Sequence, residues 1–168
     1  MSVTIPAALA AKVVWFCTRI NVQAGETLLR KGSTGNELYI ITRGQFQVHD
    51  DSAGEDFVLA MLNRGDIFGE MTFIDRTDRS ASVTAVCTGS LLRMGTVEYE
   101  IMLKKDPQTA VEFMRFLSVI LCKRLRTAND ALLQVAYGDQ DLDPACDTSL
   151  KQAIANMHEA VRMELEGT

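Results

Sequence analysis

The sequence predicts a mainly β protein with helices at both ends, and two observations carry that prediction. Between residues 20 and 94, short apolar segments alternate with turn residues at close intervals, and many of the turns contain glycine. This spacing is typical of an antiparallel sandwich or barrel. From Thr96 onward the apolar residues recur at helical spacing instead. The chain therefore predicts a β domain followed by C-terminal helices.

The β region is predicted to follow a short N-terminal helix. Residues 5–16 are apolar and alanine-rich, and Pro6 suits a first helical turn. Seven segments with strand character come next, and one of them, residues 45–49, alternates cleanly with period two. The seven segments are residues 20–24, 27–30, 37–43, 45–49, 57–62, 82–87 and 90–94. A polar turn is predicted at residues 50–56.

Three helices are predicted after the β region. Thr96 is placed to cap a helix that ends at Lys105, and a long helix covers residues 108–137. The long helix has a broad apolar stripe formed by Val111, Met114, Leu117, Val119, Leu121, Leu125, Leu132 and Val135. We expect this stripe to pack against two partners: the β domain, and either a second copy of the chain or the last helix.

The predicted domain therefore covers residues 1–137. Residues 138–168 form a separate region, which comprises a polar linker at residues 139–147 and an amphipathic helix at residues 148–166.

Composition limits the class of protein. The 168 residues suffice for one domain with a substantial core, and the net charge of −5 argues against a nucleic-acid-binding protein. No apolar run is long enough to cross a membrane, and no export signal is evident, so we expect a cytoplasmic protein.

Cysteine and histidine usage gives two further expectations. The two histidines, His49 and His158, are too far apart to suggest a metal site. The four cysteines are scattered, which favours free buried thiols over disulfides: Cys17, Cys87, Cys122 and Cys146.

Residues 67–84 carry the most informative chemistry in the chain. They offer one fixed cation, Arg79, one carboxylate, Glu70, and backbone N–H groups near Gly69, Ser80 and Ala81. Arginine can make a two-pronged, charge-assisted contact to a phosphate that lysine cannot reproduce. A short helical turn after Gly69 would add aligned N–H donors. This set of groups suits a ligand with one phosphate and one vicinal hydroxyl.

These residues also resemble a known motif. Phe-Gly-Glu at 68–70 and Arg-Ser-Ala-Ser-Val at 79–83 are similar to the phosphate-binding cassette of cyclic nucleotide-binding domains of the catabolite activator protein and protein kinase A regulatory subunit type. Residues 22–26, 32–44 and 63–70 fit the same family, and the resemblance covers roughly residues 15–137. It implies an eight-stranded antiparallel β jelly roll, or double-stranded β-helix, with an N-terminal helix and C-terminal helices.

The resemblance also implies a ligand, cAMP or cGMP, and a role for each site residue. Arg79 and Ser80 would bind the phosphate, Glu70 would accept the ribose 2′-hydroxyl, and Gly69 would let the backbone approach the ligand. Met71 and Ala81 belong to the same cassette. By the same resemblance, Val48, Leu59 and Ala60 would line the apolar side of the pocket.

Base recognition is assigned to the long helix by the same resemblance. Thr127 and Asn129 would bond an adenine edge and Arg126 would stack on a ring, although a solvated helix face explains these residues equally well. We favour cAMP over cGMP.

Several alternatives stay open at this point. Glu70 and Arg79 would also make sense as a structural ion pair, and Arg76 is a second candidate for the phosphate. The leading functional prediction is a stand-alone sensor without catalytic residues, cofactor or metal. It would form a homodimer through residues 108–137 and signal to an unknown effector protein by repacking its C-terminal helices, with no nucleic acid or membrane as partner. The alternative is a degenerate domain that serves as a protein-interaction scaffold, and a small DNA-binding regulator is a minor third possibility.

Overall fold

A computed structural model describes residues 4–50 and 57–137. The chain divides into two compact units, Met1–Lys123 and Arg124–Thr168. The predicted turn after Asp50, the linker at residues 139–147 and the helix at residues 148–166 lie outside the described residues. The first unit contains the whole sheet structure.

The β region consists of eight strands in two four-stranded sheets, and every pairing is antiparallel. The strand order is β1-β8-β3-β6 in one sheet and β2-β7-β4-β5 in the other. The strands are β1 Thr18–Val22, β2 Thr27–Leu29, β3 Leu38–Arg43, β4 Phe46–Asp50, β5 Phe57–Leu62, β6 Ile67–Phe68, β7 Ser82–Ala85 and β8 Gly89–Met94. The predicted mainly β fold with eight antiparallel strands and helices at both ends is confirmed. The strand that the residue pattern did not mark as a separate segment is β6.

The apolar run in β3 reflects its position between two hydrophobic cores. Leu38 and Ile40 pack into a core that they share with the helices, while Tyr39 and Ile41 pack into the core between the two sheets. Successive residues of a strand point to opposite faces, so a sheet covered on both faces needs consecutive apolar residues. The β1-β8-β3-β6 sheet is therefore the middle layer of the first unit.

The helices are α1 Ala7–Val13, α2 Glu70–Asp75, α3 Thr96–Lys105 and α4 Pro107–Tyr137, and a 3₁₀ turn, Val14–Phe16, follows α1. The helix predicted over residues 5–16 thus starts later and ends in a tighter turn. Thr96 does not cap α3 as predicted, because Gly95 is the N-cap residue. The Glu98 carboxylate caps α3 instead by accepting a 3.0 Å hydrogen bond from the Gly95 N–H.

The first half of α4 packs on the sheet through a row that differs from the predicted stripe. The buried row is Ala110, Phe113, Leu117 and Ile120, spaced by three and four residues. Val111 and Val119, which the stripe included, are 62% and 52% exposed. Asp106 begins the helix, because its carboxylate accepts a hydrogen bond from the Thr109 N–H at 3.1 Å. The helix therefore has one packed apolar row and one exposed row.

The cysteine thiols differ in reactivity. Cys17, Cys87 and Cys122 are free thiols, but Cys87 and Cys122 are exposed rather than buried as predicted. Burial, assisted by the Glu98 carboxylate, raises the pKa of Cys17 to about 12. Its thiol also donates to the Val13 carbonyl at 3.4 Å.

We expect iodoacetamide at pH 8 to alkylate Cys87 and Cys122 and to spare Cys17, because the thiolate is the reactive form. Peptide mapping by mass spectrometry measures this pattern, and urea should abolish the protection of Cys17. The proton is held more tightly in the folded state, so the associated stability is present below pH 9 and is lost as the pH rises toward about 12. Equal labelling of all three thiols in the native protein would contradict the assigned burial.

Candidate functional site

The site is built around Arg79, whose side chain is only 3% exposed. One terminal nitrogen, Nη1, donates to the backbone carbonyls of Glu37 at 2.8 Å and Gly69 at 3.2 Å. The other, Nη2, donates to Oε2 of the Glu37 carboxylate at 3.1 Å. The guanidinium is therefore fixed in place by two loops that are distant in sequence, and it lies inside the fold rather than on the surface.

The backbone of Arg79 is held as firmly as its side chain. Its N–H donates to the Ser33 carbonyl at 2.9 Å, and its carbonyl accepts from the Gly32 N–H at 2.8 Å. This pairing joins the loop that precedes β7 to the turn between β2 and β3. These two hydrogen bonds fix the backbone of Arg79 without the help of a ligand.

Gly69 is required both by its conformation and by its neighbours. It has a φ of +77°, a region that favours glycine, and it is the N-cap residue of α2. A Cβ at this position would lie 2.8 Å from the Glu37 carbonyl oxygen and 2.9 Å from Nη1 of Arg79. The sequence predicted that a side chain here would obstruct the ligand, and the structure adds that it would displace the guanidinium itself.

Gly35 approaches Arg79 from another side. A Cβ on Gly35 would lie 2.6 Å from Nη2, 3.0 Å from Nε and 3.1 Å from Cζ of Arg79. This Cβ would lie at the edge of the planar guanidinium that carries the Nε–H and the outer N–H of Nη2. Gly35 is not among the residues with a positive φ. A Cβ 2.6 Å from Nη2 is closer than such contacts come, so a side chain at this position would displace the guanidinium as well as cover its edge.

We expect Gly35→Val to weaken binding of an anionic ligand at Arg79 by about tenfold or more, because its side chain fills the space in front of two donors. Titration calorimetry on the variant measures the effect, and thermal unfolding checks that the fold persists. Wild-type affinity in Gly35→Val would show that this edge of Arg79 is not used.

Glu70 is the first residue of α2 and is only 1% exposed. The helix α2 starts directly after Gly69, where a short helical turn was predicted, and its buried residues Thr72 and Phe73 anchor it. The ring of Phe73 meets that of Tyr99 edge to face, with centroids 5.7 Å apart. The helix that carries Glu70 is thereby linked to α3.

The loop between α2 and β7 presents its other polar residues to solvent. Arg76 is exposed and adopts a left-handed conformation with a φ of +63°, so it does not share the buried environment of Arg79. Asp75 accepts hydrogen bonds from the Thr77 N–H and hydroxyl at 3.0 and 2.8 Å, and these bonds lower the pKa of Asp75. Of the two arginines, Arg79 is the one enclosed by the fold.

The remaining cassette residues flank Arg79 less tightly. Ser80 is exposed, and its hydroxyl lies 3.5 Å from the sulfur of Met71, which is also exposed. Ala81 is half-buried at the entrance to β7. The Ser80 hydroxyl is thus able to turn toward a ligand without breaking a strong hydrogen bond.

The predicted apolar wall lies on β4 and β5. Val48 is half-buried, and it pairs with Ala60 of β5 on one side and Val83 of β7 on the other. Leu59 is 53% exposed and falls at the register shift between β4 and β5, where it has no partner residue in the ladder. Only Val48 and Ala60 therefore have a defined place in the paired sheet.

The residues predicted to read the base lie in the second unit. Arg126, Thr127 and Asn129 are exposed positions of α4, beyond the Lys123 boundary of the first unit. Their contacts with a purine stay a prediction.

Sequence reasoning missed two residues of the site, Glu37 and Gly35. Glu37 supplies both a carbonyl and a carboxylate to Arg79, although 42 residues separate them. The Glu37 charge also affects Tyr39. Burial, and after it the Glu37 carboxylate, raise the pKa of Tyr39, while Arg79 and Arg93 act in the opposite direction. The signal available in the sequence was a glycine and a carboxylate at the start of the strand β3, within the stretch that resembles the family.

The Cyclic nucleotide-binding domain family matches residues 19–106, which include the Arg79 site and all eight strands except the first residue of β1. The chain belongs to this family.

Individual relatives agree with the family assignment. The Cyclic AMP receptor protein of Thermus thermophilus is 32% identical over 108 residues, which make up 62% of this chain and 47% of that protein. The crystal structure of the Thermus thermophilus catabolite activator protein superposes with a TM-score of 0.67 and 26% identity, over 79% of this chain and 61% of that one. The regulatory domain of Toxoplasma gondii PKA, determined with cAMP, gives a TM-score of 0.52 and 26% identity, over 58% and 37% of the two chains.

The cyclic nucleotide-binding domain spans less than half the length of the Thermus receptor protein. Across residues 4–50 and 57–137, no group of three or more His, Cys, Asp and Glu side chains is placed to hold a metal ion. In the same residues, no helix combines the length and apolar character that a membrane span requires.

Proposed function

We propose that this cyclic nucleotide-binding domain is a regulatory sensor that binds cAMP at Arg79 and is not itself catalytic. The observation that carries the proposal is the buried Arg79 guanidinium, which two loops hold while the Nε–H and one N–H of Nη2 have no partner among residues 4–50 and 57–137. Such a guanidinium matches the single negative charge and paired oxygens of a cyclic phosphodiester. cAMP is preferred over cGMP because the names of the Thermus relative and of the Toxoplasma complex both refer to cAMP.

The other cassette residues fit the same ligand. Glu70 follows Gly69 at the start of α2, and we assign its carboxylate the role of accepting a hydrogen bond from the ribose hydroxyl beside the phosphate. The Ser80 hydroxyl and the half-buried Ala81 N–H lie next to Arg79 in the chain and serve as further donors to the phosphate. Val48 and Ala60 contribute an apolar surface on paired strands.

Isothermal titration calorimetry with cAMP and cGMP tests the proposed function. We expect one site per chain and a lower Kd for cAMP than for cGMP. Folded protein that binds neither nucleotide would overturn the proposal and favour the alternative, a domain of this fold that acts as an interaction scaffold without nucleotide.

The signal is proposed to pass from the cassette to the C-terminal helices. Phe73 of α2 contacts Tyr99 of α3, and α3 leads into α4 through Asp106. A ligand that draws α2 inward would change this contact and so shift the helices between two packings, by its differential affinity for the two states. The receiving effector is proposed to be a protein, and no nucleic-acid partner is invoked.

A homodimer through α4 is proposed for the exposed row of that helix. Val111, Leu125 and Leu132 are spaced by fourteen and seven residues, with Ser118 at the intervening seventh position, and the three apolar side chains are 62%, 62% and 67% exposed. Apolar side chains at multiples of seven residues lie along one face of a helix, which is the face that pairs two helices in a coiled coil. Light scattering during the nucleotide titration measures whether the chain is a dimer with and without cAMP.

We expect Glu70→Gln to raise the Kd for cAMP by about tenfold and to bring the affinities for cAMP and 2′-deoxy-cAMP closer together. The reason is that a neutral amide is a weaker acceptor than a carboxylate for the ribose hydroxyl, a bond that the deoxy analogue lacks in either protein. Parallel titrations of both ligands measure the ratio. An unchanged ratio would place the ribose hydroxyl elsewhere.

A further inference from the structure

Glu37 brings a second charge to the cassette arginine. Its carboxylate lies 3.1 Å from Nη2 of Arg79, and its side chain is 32% exposed, whereas that of Arg79 is 3% exposed. The Glu37 carboxylate therefore offsets part of the positive charge that Arg79 offers to an anionic ligand.

The hydrogen bonds of Arg79 show where the ligand's charge would lie relative to that of Glu37. A guanidinium has five N–H donors, and Nη1 uses both of its donors on carbonyls while Nη2 uses one on Glu37. The donors without a partner among the described residues are the Nε–H and the second N–H of Nη2. A phosphate bound there shares Nη2 with the Glu37 carboxylate, so the two anions are close neighbours.

Repulsion between these anions depends on the charge of the ligand. A cyclic phosphodiester carries one negative charge, whereas a phosphomonoester carries nearly two at neutral pH, because its second pKa is about 6. The second charge meets the Glu37 carboxylate at short range in a partly buried site, where Coulomb energies are larger than in water. Glu37 therefore penalises a phosphomonoester more than a phosphodiester.

We propose that Glu37 is a specificity-determining residue that excludes phosphomonoesters, the 5′-nucleotides formed when the cyclic ester is hydrolysed, from the Arg79 site. This inference rests on the proposed function, since it assumes that Arg79 binds the phosphate of a cyclic nucleotide. The ion pair between Glu37 and Arg79 then does more than position the guanidinium, because it also makes the pocket favour a singly charged ligand over a doubly charged one.

The experiment compares three ligands on the full chain by calorimetry: cAMP, 5′-AMP and the methyl ester of 5′-AMP. The methyl ester is open like 5′-AMP but carries one charge like cAMP, so it separates charge from ring shape. We expect Glu37→Gln to strengthen 5′-AMP binding about tenfold relative to wild type, and cAMP and methyl-ester binding by about threefold or less. Glu37→Asp, which keeps the charge, should retain the discrimination against 5′-AMP.

Glu112→Gln is the matched control, because it also removes one carboxylate, from a half-exposed surface pair with Lys12. It should leave all three affinities unchanged, and thermal unfolding verifies that each variant is folded. If Glu37→Gln changed the affinities for all three ligands equally, or weakened all of them, the charge-selection role of Glu37 would be overturned. Binding of cAMP by the wild-type protein would still support the proposed function in that case. A wild-type protein that does not bind cAMP would overturn both.

Discussion

Arg79→Lys is expected to raise the Kd for cAMP by about 100-fold or more, because lysine cannot present two parallel donors to a phosphate. The loss is large since Arg79 is buried and prepositioned by three hydrogen bonds to Glu37 and Gly69. Lysine retains the positive charge, so the variant separates the geometry of the contact from its net charge. Calorimetry measures the Kd, and circular dichroism confirms that the variant is folded.

Arg76→Lys is the matched control for this prediction. Arg76 lies three residues away in the same loop and is exposed, whereas Arg79 is buried. The same substitution there should leave the Kd for cAMP unchanged. Normal binding by Arg79→Lys, or a comparable loss in Arg76→Lys, would show that the phosphate is bound by a different residue.

Gly69→Ala is expected to destabilise the protein by about 2 kcal/mol and to weaken cAMP binding as well. Part of the destabilisation is the strain of a non-glycine residue at a φ of +77°, which costs about 1 kcal/mol or more. The rest follows because the new Cβ would lie 2.8 Å from the Glu37 carbonyl oxygen and 2.9 Å from Nη1 of Arg79. Denaturant unfolding measures the stability, and calorimetry measures the binding.

Gly25→Ala isolates the backbone contribution. Gly25 has a φ of +79°, and a Cβ built on it meets nothing within 4 Å. It should therefore show the strain alone, with a smaller loss of stability and an unchanged Kd for cAMP. If Gly69→Ala and Gly25→Ala had the same stability and the same Kd for cAMP, the close packing between Gly69 and Arg79 would not contribute to binding.

The sheet structure was predictable because its turns are specified by residues that are neighbours in the sequence. Glycines and polar residues end each strand within a few residues, so the segments could be marked from sequence alone. The two-residue β6, Ile67–Phe68, is too short to show a period and became recognisable only from its pairing with Tyr39 and Ile40. The cassette motif could be located for the same local reason, since Gly69, Glu70 and Arg79 lie within eleven consecutive residues, while the ligand contacts of these residues stay a prediction.

The tertiary contacts of the site were not predictable in this way. The contact between Glu37 and Arg79 joins residues 42 apart, and their ion pair forms because β3 and the loop before β7 meet in three dimensions. The packed row of α4 was misjudged for a different reason. Ala110 is small and contributes little to an apolar pattern, yet it is fully buried against the sheet, while the larger Val111 beside it is exposed.

Binding of the phosphodiester by Arg79 is observed directly when the Arg79 side chain is followed by NMR during addition of ligand. In isotope-labelled protein, the arginine Nε–H resonance that disappears in Arg79→Lys identifies this group by NMR. Addition of cAMP should shift that resonance strongly, because the Nε–H passes from having no partner among the described residues to donating to a phosphate oxygen. Saturation of the protein with cAMP while the Arg79 resonance stays unmoved would contradict the central claim that this guanidinium binds the phosphodiester.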